Sequence, residues 1–464
     1  MTKAEPPHQT ATLERTLCLR DLILLVIGTV IGSGIFIVPG AVLRQVQGGV
    51  GLAMLVWLVG GILSLLGALT YGELAARSPK AGGIYIYIRD AFSPLLAFLY
   101  GWTLFFVIST GAMATLAVAF SAYLGEIVPL TPALRKLIAV GMIAIVTVVN
   151  VLGTRKSSDL QNWTTAIKVG AILIMSGTLL LLGRGFSANG SALLPTAAGT
   201  SLASGFGLAM IGVLWAYEGW QYATFSAGET VNAQRNFPRA LIIGSAALIG
   251  MYLLANLAYI GALGPTKAAQ TDSIAATAVA AVVGSGAAKL VALAILISIF
   301  SAANGIALTA PRVYFAMARD GLFFHRLAEV HPRFHTPAFA VLSGSAWAVA
   351  LAVTGTFEQL FTYVVFSGWI FYALGAASIF IYRRRSAEVA SPYRVPGYPW
   401  TPLLFILAAA ALVINTIATQ PVRAAVGLGI VLLGAPAYLI WRSSKGVSGD
   451  EPSPSVEEIV NASE

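Results

Sequence analysis

The stretch GTVIGSGIFIVPG (residues 28–40) lies in the first long apolar run of the chain and contains four glycines and one proline. In a helix interior, glycine costs about 1 kcal/mol relative to alanine and proline costs about 3 kcal/mol. Within hydrocarbon, unwound backbone is tolerated only beside a cavity or a polar ligand, because unpaired backbone groups are costly there. The stretch therefore predicts a helix broken at Gly32, Ser33 and Gly34, with free N–H groups for an anion and free carbonyls for a cation.

The sixth apolar run indicates that this break serves a binding site. Taken alone, the first run is equally compatible with close helix packing, since Gly28 and Gly32 have the spacing typical of membrane helix contacts. The sixth run, SGFGLAMIGVLWAYEGWQYATFSAGE (204–229), contains five glycines, including Gly219, and has Glu218 at its middle. Interrupted runs in the first and sixth positions predict a five-plus-five inverted repeat with a site between the breaks. A zwitterionic amino acid carries both charges on one carbon and suits such a site.

The composition is that of a membrane protein. Of the 464 residues, 57% are hydrophobic and 10% are charged, and the mean hydropathy is +0.81. A soluble domain has about 25% charged residues. Since one span takes roughly 20 apolar residues, the apolar runs predict an all-α integral membrane protein with about twelve transmembrane helices. The predicted spans are 21–43, 50–75, 92–123, 135–152, 160–183, 201–228, 238–263, 285–316, 338–355, 359–382, 401–419 and 424–441.

These runs also predict the domain boundaries. A polar N-terminal segment precedes one transmembrane domain, and a polar tail, predicted to be disordered, follows it. The predicted parts are the N-terminal segment 1–20, the transmembrane domain 21–443 with its core repeat at 21–183 and 201–384 and its extra spans within 401–441, and the tail 444–464.

The basic residues predict the orientation of the chain. If the N-terminus lies inside, the inner segments hold 20 lysines and arginines and the outer segments hold 7. This excess predicts that both termini are cytoplasmic. The predicted location of the protein is the inner (plasma) membrane of the cell. It also explains the formal net charge of +9. The charge therefore gives no reason to expect a nucleic-acid partner.

Signatures of enzymes and of cofactor binding are missing from the sequence. It has no phosphate-binding Gly-rich loop of the P-loop type, no Gly-x-Ser-x-Gly elbow and no His-Glu-x-x-His pair. The four histidines lie outside the predicted spans, and Cys18 is the only cysteine. We therefore expect no enzymatic activity, no cofactor and no metal site, and the number of spans suits a secondary transporter.

Lys168 and Glu218 are the only charged residues predicted to lie deep within spans. A charge at the middle of the bilayer costs from roughly 2.5 to over 10 kcal/mol, so each needs a partner or a purpose. A buried lysine can also lose its proton readily, which leaves proton coupling open as a role for Lys168. Glu218 can pair with a basic side chain of a substrate, or can itself be neutralised by a proton or by Lys168.

Four motifs in the same order resemble those of the amino acid–polyamine–organocation permeases. They are GTVIGSGIF (28–36), YGELAARSPKAGGIYIYIRDAFSP (71–94), LWAYEGW (214–220) followed by RNFPRA (235–240), and YFAMARDGLFF (314–324). The resemblance is strongest to the bacterial form of the L-type amino acid transporter-like branch, and it covers approximately residues 17–445. It implies a LeuT-like fold with discontinuous first and sixth helices, and sodium-independent transport of L-amino acids, often by exchange.

The resemblance also implies roles for individual residues. The amides of Ser33 and Gly34 would bind the substrate carboxylate, and the carbonyls of Val30, Trp215 and Glu218 would accept from its α-amino group. Trp215 corresponds to the aromatic gate of the family. Lys168 would occupy the place of an ion in sodium-driven relatives. Its expected partners on the eighth span are Ser298 and Ser301.

Several alternatives remain open at this point. The protein is an exchanger, a proton-coupled symporter, or a transporter of polyamines or other organic cations, which Glu218 would favour. The absence of a second deep carboxylate argues against a polyamine, because a diamine would leave the donors of Ser33 and Gly34 unused. Some relatives are disulfide-linked to a heavy subunit through the loop between spans three and four. The corresponding loop here, LGEIVPLTPALRK (124–136), has no cysteine, so no such partner is expected.

Overall fold

The computed structural model describes residues 13–185, 201–385 and 392–445. These residues are helical apart from turns, short linkers and one isolated parallel bridge between Leu17 and Thr230. The predicted all-α fold is therefore confirmed. Most of the N-terminal segment 1–20 and nearly all of the tail 444–464 lie outside the described residues.

The described residues 13–185 contain eight α-helices. The first two are separated by a three-residue break, and the fifth continues into the sixth through a π-helical turn at Leu104–Ile108. The helices are α1 (Leu19–Val30), α2 (Gly34–Gln45), α3 (Val50–Arg77), α4 (Ile84–Ala91), α5 (Pro94–Thr103), α6 (Ser109–Ile127), α7 (Pro132–Val151) and α8 (Thr154–Leu182).

The described residues 201–385 and 392–445 contain ten more α-helices. A 3₁₀ helix, Trp220–Glu229, follows the first of them after a short break, and another, His325–Ala328, lies in a loop. The α-helices are α9 (Ser201–Ala216), α10 (Ala233–Leu263), α11 (Pro265–Ala269), α12 (Ile274–Val282), α13 (Ser285–Thr309), α14 (Pro311–Arg319), α15 (Ala338–Thr354), α16 (Phe357–Arg385), α17 (Trp400–Thr419) and α18 (Pro421–Lys445).

Local sequence signals explain where several of these helices begin. Ser93 caps α5 by accepting a hydrogen bond of 3.3 Å from the amide of Leu96, and Pro94 follows at the first helical position. Thr131 caps α7 in the same way. A side-chain oxygen at the cap satisfies an amide that has no partner within the helix, and proline suits the first position because its missing N–H is not needed there.

The helices agree with the predicted spans, although two are short. Within the described residues, nine helices are long and apolar enough to cross a membrane, and α1 with α2, bent by 45° at their break, makes a tenth. The predicted spans 201–228 and 338–355 contain α9 and α15, which have 16 and 17 residues. The sixth span is short because the helix is interrupted after Ala216. The count of twelve spans stays a prediction.

The two interrupted helices lie side by side. Helix α2 packs against α9, and α1 packs against α8, α10 and α13. Helices α3 and α10, which follow the two breaks as the second and seventh predicted spans, also pack against each other. This pairing is what an inverted repeat would produce, and it brings the two breaks together in the interior.

The interior also encloses a charged pair that the sequence did not predict. The guanidinium of Arg312 donates hydrogen bonds of 2.6 and 2.8 Å to the carboxylate of Glu229, and a third of 2.8 Å to the hydroxyl of Thr154. Both charged side chains are almost fully buried. The prediction about Lys168 and Glu218 concerned charges deep within spans, whereas Arg312 and Glu229 lie at or just beyond the ends of the predicted spans 285–316 and 201–228. The sequence did not reveal this pair because partners so far apart in sequence leave no local signal.

Candidate binding site between two broken helices

The first break leaves hydrogen-bond donors without acceptors. Helix α1 ends at Val30 and α2 begins at Gly34, so the unwound residues are Ile31, Gly32 and Ser33, and Gly34 opens the following helix. Among the described residues, the amides of Ser33 and Gly34 have no recorded acceptor. The hydroxyl of Ser33 is buried and likewise has no partner there. A buried donor without an acceptor costs about 1–3 kcal/mol, which a bound anion would relieve.

The second break contacts the first through Gly219. This residue has a φ of +132°, a conformation that glycine adopts easily and other residues rarely do. A Cβ atom on Gly219 would lie only 2.8 Å from the carbonyl carbon of Thr29. The hydroxyl of Thr29 also donates to the carbonyl of Gly219 over 3.1 Å. Only glycine fits between these two backbone segments, so the two breaks are in direct contact.

Tyr252 on α10 joins the ends of both helices. Its hydroxyl lies 3.2 Å from the carbonyl oxygen of Val30 and 2.9 Å from that of Ala216. The carbonyl of Val30 also accepts from the amide of Gly32 at 2.8 Å, and the carbonyl of Trp215 accepts from the amide of Glu218 at 3.0 Å. Two of the carbonyls expected to receive an amino group therefore already have partners in this conformation.

A small cavity lies where the breaks meet. It has about 20 Å³ of room for the centres of water molecules, which is enough for one or two waters. The walls beyond the breaks are mainly apolar and come from α6 and α13, with Tyr222 from the 3₁₀ helix. The residues of the breaks that line the cavity are Thr29, Val30, Gly32, Ser33, Gly34, Trp215, Glu218 and Gly219. An amino acid needs more room, so its entry requires the walls to separate.

Lys168 reaches the first break from α8. Its side chain is buried, and its Nζ atom donates hydrogen bonds of 2.6 Å to the carbonyls of both Gly28 and Ile31. The carbonyl of Ser298 lies 3.4 Å away, and the hydroxyl of Ser298 bonds to Ile31 at 3.0 Å. The hydroxyl of Ser301 instead accepts a hydrogen bond of 2.9 Å from Thr164. The lysine is thus held by backbone oxygens, and Ser298 shares one of them.

Glu218 lies at the second break beside Gln221 and Tyr372. One oxygen of its carboxylate accepts a hydrogen bond of 2.7 Å from Gln221 and a shorter one from the hydroxyl of Tyr372. Its other oxygen has no recorded partner among the described residues. Glu218 is one of the residues that line the cavity.

The structure brings most of the sequence-predicted residues together. Seven of them line the one cavity, and Lys168 and Ser298 lie directly behind the first break. Sequence reasoning missed Thr29, Tyr252, Gln221 and Tyr372. Thr29 lies within the quoted first motif and could have been considered. Gln221 likewise lies within the quoted sixth run. Tyr252 and Tyr372 carry no pattern that distinguishes them from ordinary helix residues.

An all-α membrane domain with two helix breaks facing one cavity has the architecture of a membrane transporter. Comparison with known proteins agrees. The model of the family described as "Amino acid permease" matches residues 17–435, and the chain belongs to this family. The resemblance inferred from the motifs is confirmed. The protein is a multi-pass membrane transporter rather than an enzyme.

Relatives of known activity resemble the chain over nearly its whole length. It is 32% identical to the serine/threonine exchanger SteT of Bacillus subtilis, over 93% of this chain and 98% of that protein. It is 32% identical to the b(0,+)-type amino acid transporter 1 of Mus musculus, over 89% of this chain and 85% of that protein. It is 31% identical to the human cystine/glutamate transporter, over 94% of this chain and 88% of that protein. Amino acid transport is thus the shared activity.

Proposed function

We propose that this protein is a sodium-independent secondary transporter that exchanges L-amino acids, mainly neutral ones and additionally cationic ones, across the plasma membrane by alternating access. The observation that carries this proposal is the cavity where the two breaks meet, which is lined by the first break with its unpaired donors and by Glu218 of the second break. The relative SteT, which is named a serine/threonine exchanger, supports the exchange mode.

The first break is the proposed site of the substrate carboxylate. The amides of Ser33 and Gly34 have no recorded acceptor, and they stand at the N-terminus of α2, where the helix dipole favours negative charge. The unpartnered hydroxyl of Ser33 adds a third donor. A carboxylate accepts all three, and hydrogen bonds to a charged group contribute about 1.5–3 kcal/mol each.

The α-amino group is proposed to bind between the two breaks. It would donate to the carbonyls of Val30 and Trp215 and to the carbonyl of Glu218. Since the first two already accept hydrogen bonds from Gly32 and Glu218, binding requires a local rearrangement of both breaks. The same rearrangement would enlarge the cavity. Trp215, which lines it, is proposed to close over the bound substrate as a gate.

Lys168 is proposed to make transport independent of sodium. Its ammonium already bonds to the carbonyls of Gly28 and Ile31, with Ser298 nearby. Backbone carbonyls at a helix break are the ligands that a coupling cation would use. A fixed ammonium in this position supplies the positive charge, so no dissolved cation is needed.

Glu218 is proposed to admit basic side chains. Its unpartnered oxygen at the cavity can accept from a cationic group, while Gln221 and Tyr372 hold the other oxygen in place. The same residue supports the second candidate, proton-coupled symport, because a carboxyl group at the cavity can carry a proton. A polyamine or organic-cation substrate would use Glu218 but leave the donors of Ser33 and Gly34 unused.

The protein is further proposed to work without a covalent partner and with both termini in the cytoplasm. Its single cysteine, Cys18, precedes α1, far in sequence from the loop 124–136. A heavy subunit linked through that loop would need a cysteine there.

Uptake of labelled L-serine into proteoliposomes tests the proposal. Vesicles are prepared with and without unlabelled L-serine inside, in sodium-free buffer, at equal and at unequal pH. We expect rapid uptake only into loaded vesicles, with no dependence on the pH gradient. Uptake into empty vesicles when the outside is acidic would instead establish proton-coupled symport. A requirement for sodium would contradict the role given to Lys168.

A further inference from the structure

A second cavity opens on the face of the protein that carries the N-terminal residues. This vestibule has a volume of about 640 Å³, far more than the cavity at the breaks, and it includes Leu13. It lies between the loop before α4, helix α4 itself, helix α14 and the end of the 3₁₀ helix. Its polar lining comes from the side chains of Lys80, Arg89, Arg319 and Asp320.

The vestibule is connected to the binding site by the 3₁₀ helix. Gly228, which lines the vestibule, follows Gly219 by nine residues. At a rise of about 2.0 Å per residue the two positions are at most roughly 18 Å apart along the axis. A Cβ atom on Gly228 would lie 3.1 Å from the Cβ of Ala81, so the loop of Lys80 packs directly on this helix.

Among the residues that the structure describes, one of the three cations in the vestibule is paired with an acid. Arg89 donates a hydrogen bond of 2.6 Å to Asp320 and also pairs with Asp90 at 2.8 Å. Burial lowers the pKa of the Arg89 guanidinium, but the hydrogen bonds and charges of Asp320 and Asp90 raise it overall. Arg89 is therefore a fixed cation that neutralises Asp320.

Lys80 and Arg319 are exposed cations at this vestibule. Neither has an acidic partner in the part of the chain that the structure describes. Arg319 lies 5.7 Å from the centre of the Phe315 ring, which leaves its charge unneutralised. With three cations and one anion, the vestibule has a net charge of +2. The general excess of basic residues on the predicted cytoplasmic side explains why these cations are on this face. It does not explain why they surround one cavity.

We infer that this vestibule is a substrate-capture site in which Lys80 and Arg319 bind the carboxylate of an amino acid on its way between solution and the two breaks. The second carboxylate oxygen of Asp320 has no recorded partner among the described residues, and Asp320 is one of the residues that line the vestibule, so its negative charge complements the α-ammonium group. The inference rests on the proposed function and adds a second, weaker site on one face only. Because positive charge in a cleft raises the local concentration of anions, the site speeds loading from this face.

Exchange of L-serine in sided proteoliposomes tests the capture site. The fraction of each orientation is measured by labelling the exposed Cys18 with a membrane-impermeant maleimide. The KM for L-serine is then determined at each face for Lys80→Gln, Arg319→Gln and the double variant. We expect the KM at the vestibule face to rise about two- to fivefold for each substitution, as for removal of one partner of an exposed ion pair, with the KM at the other face unchanged.

The control variant is Arg326→Gln, which removes an exposed cation on a neighbouring 3₁₀ helix that does not line the vestibule. It should leave both KM values unchanged. Equal KM values for the wild type and the vestibule variants, in protein that exchanges normally, would overturn the capture site and leave the proposed function standing. Failure of the wild type to exchange would instead refute the proposed function.

A second experiment distinguishes capture of the substrate carboxylate from binding of an anionic lipid headgroup, because both groups are negatively charged. The KM values are measured in vesicles of pure phosphatidylcholine and in vesicles containing phosphatidylglycerol. An effect of Lys80→Gln in the neutral vesicles supports capture of the substrate. An effect confined to vesicles with the anionic lipid would overturn the inference and assign the vestibule to lipid.

Discussion

The ammonium of Lys168 lies 2.6 Å from the carbonyl oxygen of Ile31, in the first helix break. It lies equally close to the carbonyl of Gly28, whose partner in an unbroken helix would be the amide of Gly32. That amide bonds instead to Val30 at 2.8 Å. The lysine thus satisfies carbonyls that the break leaves free, and it stabilises the unwound conformation that the proposed carboxylate site needs.

Lys168→Ala is expected to impair exchange strongly without preventing insertion into the membrane. The substitution removes the hydrogen bonds from the ammonium to the carbonyls of Gly28 and Ile31, of which only Ile31 keeps a donor, the hydroxyl of Ser298. Each hydrogen bond to the charged ammonium contributes about 1.5–3 kcal/mol. We expect at least a roughly tenfold lower exchange rate per molecule of inserted protein. The rate is measured in proteoliposomes and normalised to the amount of protein.

The matched control is Lys156→Ala, on the same helix but exposed. It should exchange at the wild-type rate. Near-normal exchange by Lys168→Ala would remove this lysine from the site.

Glu218→Gln is expected to weaken recognition of basic amino acids selectively. The amide oxygen of glutamine can still accept from Gln221 and Tyr372, so the substitution mainly removes the charge. We expect the concentration of L-lysine that inhibits L-serine exchange by half to rise about tenfold or more, the effect of losing one charged hydrogen bond. Inhibition by neutral L-alanine should change little.

The control for this variant is Asp272→Asn. The side chain of Asp272 is 82% exposed and forms an ion pair with Arg44. Exposed ion pairs contribute little free energy, so this variant should show the wild-type preference between basic and neutral amino acids. An unchanged ratio of basic to neutral inhibition in Glu218→Gln would refute side-chain recognition by this residue.

Gly34→Ala is expected to destabilise the protein and slow exchange. A Cβ atom at this position would lie 2.7 Å from the Cα of Ala216, a backbone atom that cannot move without shifting α9. Such overpacking typically costs about 1–3 kcal/mol. Thermal unfolding in detergent and the exchange rate are measured together.

Gly141→Ala on α7 serves as the comparison, because a Cβ atom there would meet nothing within 4 Å. It should unfold at the wild-type temperature or above. If Gly34→Ala were as stable and as active as Gly141→Ala, the close contact between the two broken helices would not exist.

The predicted orientation can be checked with the single cysteine. Cys18 is exposed, and the excess of basic residues predicts that its face is cytoplasmic. A membrane-impermeant maleimide should label it in inside-out vesicles and leave it unlabelled in intact cells. Arg135→Cys in a Cys18→Ser background, at an exposed position in the first turn of α7, should be labelled in intact cells and remain unlabelled in inside-out vesicles. Labelling of Cys18 in intact cells would show that the orientation is the reverse of the predicted one.

The sequence located both breaks because glycine is costly inside helices and unwound backbone is costly in hydrocarbon. The predicted break, residues 32–34, is displaced by one residue from the observed break, residues 31–33, because Gly34 already begins α2. Pro39 lies within α2 and does not interrupt it. The glycine pattern placed Ser33 in the break, and its position within a span marked Lys168 as unusual. The roles of Ser33, Trp215 and Lys168 came from the family resemblance.

The rest of the site depends on contacts between distant segments. Tyr252 reaches Val30 across 222 residues, and Arg312 reaches Glu229 across 83. Neither pairing produces a periodicity or a spacing that a single sequence displays. The change from α-helix to 3₁₀ helix at Trp220 was likewise missed, since the whole of 201–228 has the hydropathy of one span.

Binding of labelled L-serine to the purified protein in sodium-free buffer, in competition with serine analogues that lack one charge, tests the central claim most directly. Ethanolamine lacks the carboxylate that the amides of Ser33 and Gly34 are proposed to hold, and N-acetyl-L-serine lacks the charged amino group. Since two charge-assisted hydrogen bonds contribute roughly 3–6 kcal/mol together, each analogue should compete at least about a hundredfold more weakly than unlabelled L-serine. Competition by ethanolamine as strong as that by L-serine would contradict a carboxylate site at the first break and would favour an organic-cation transporter.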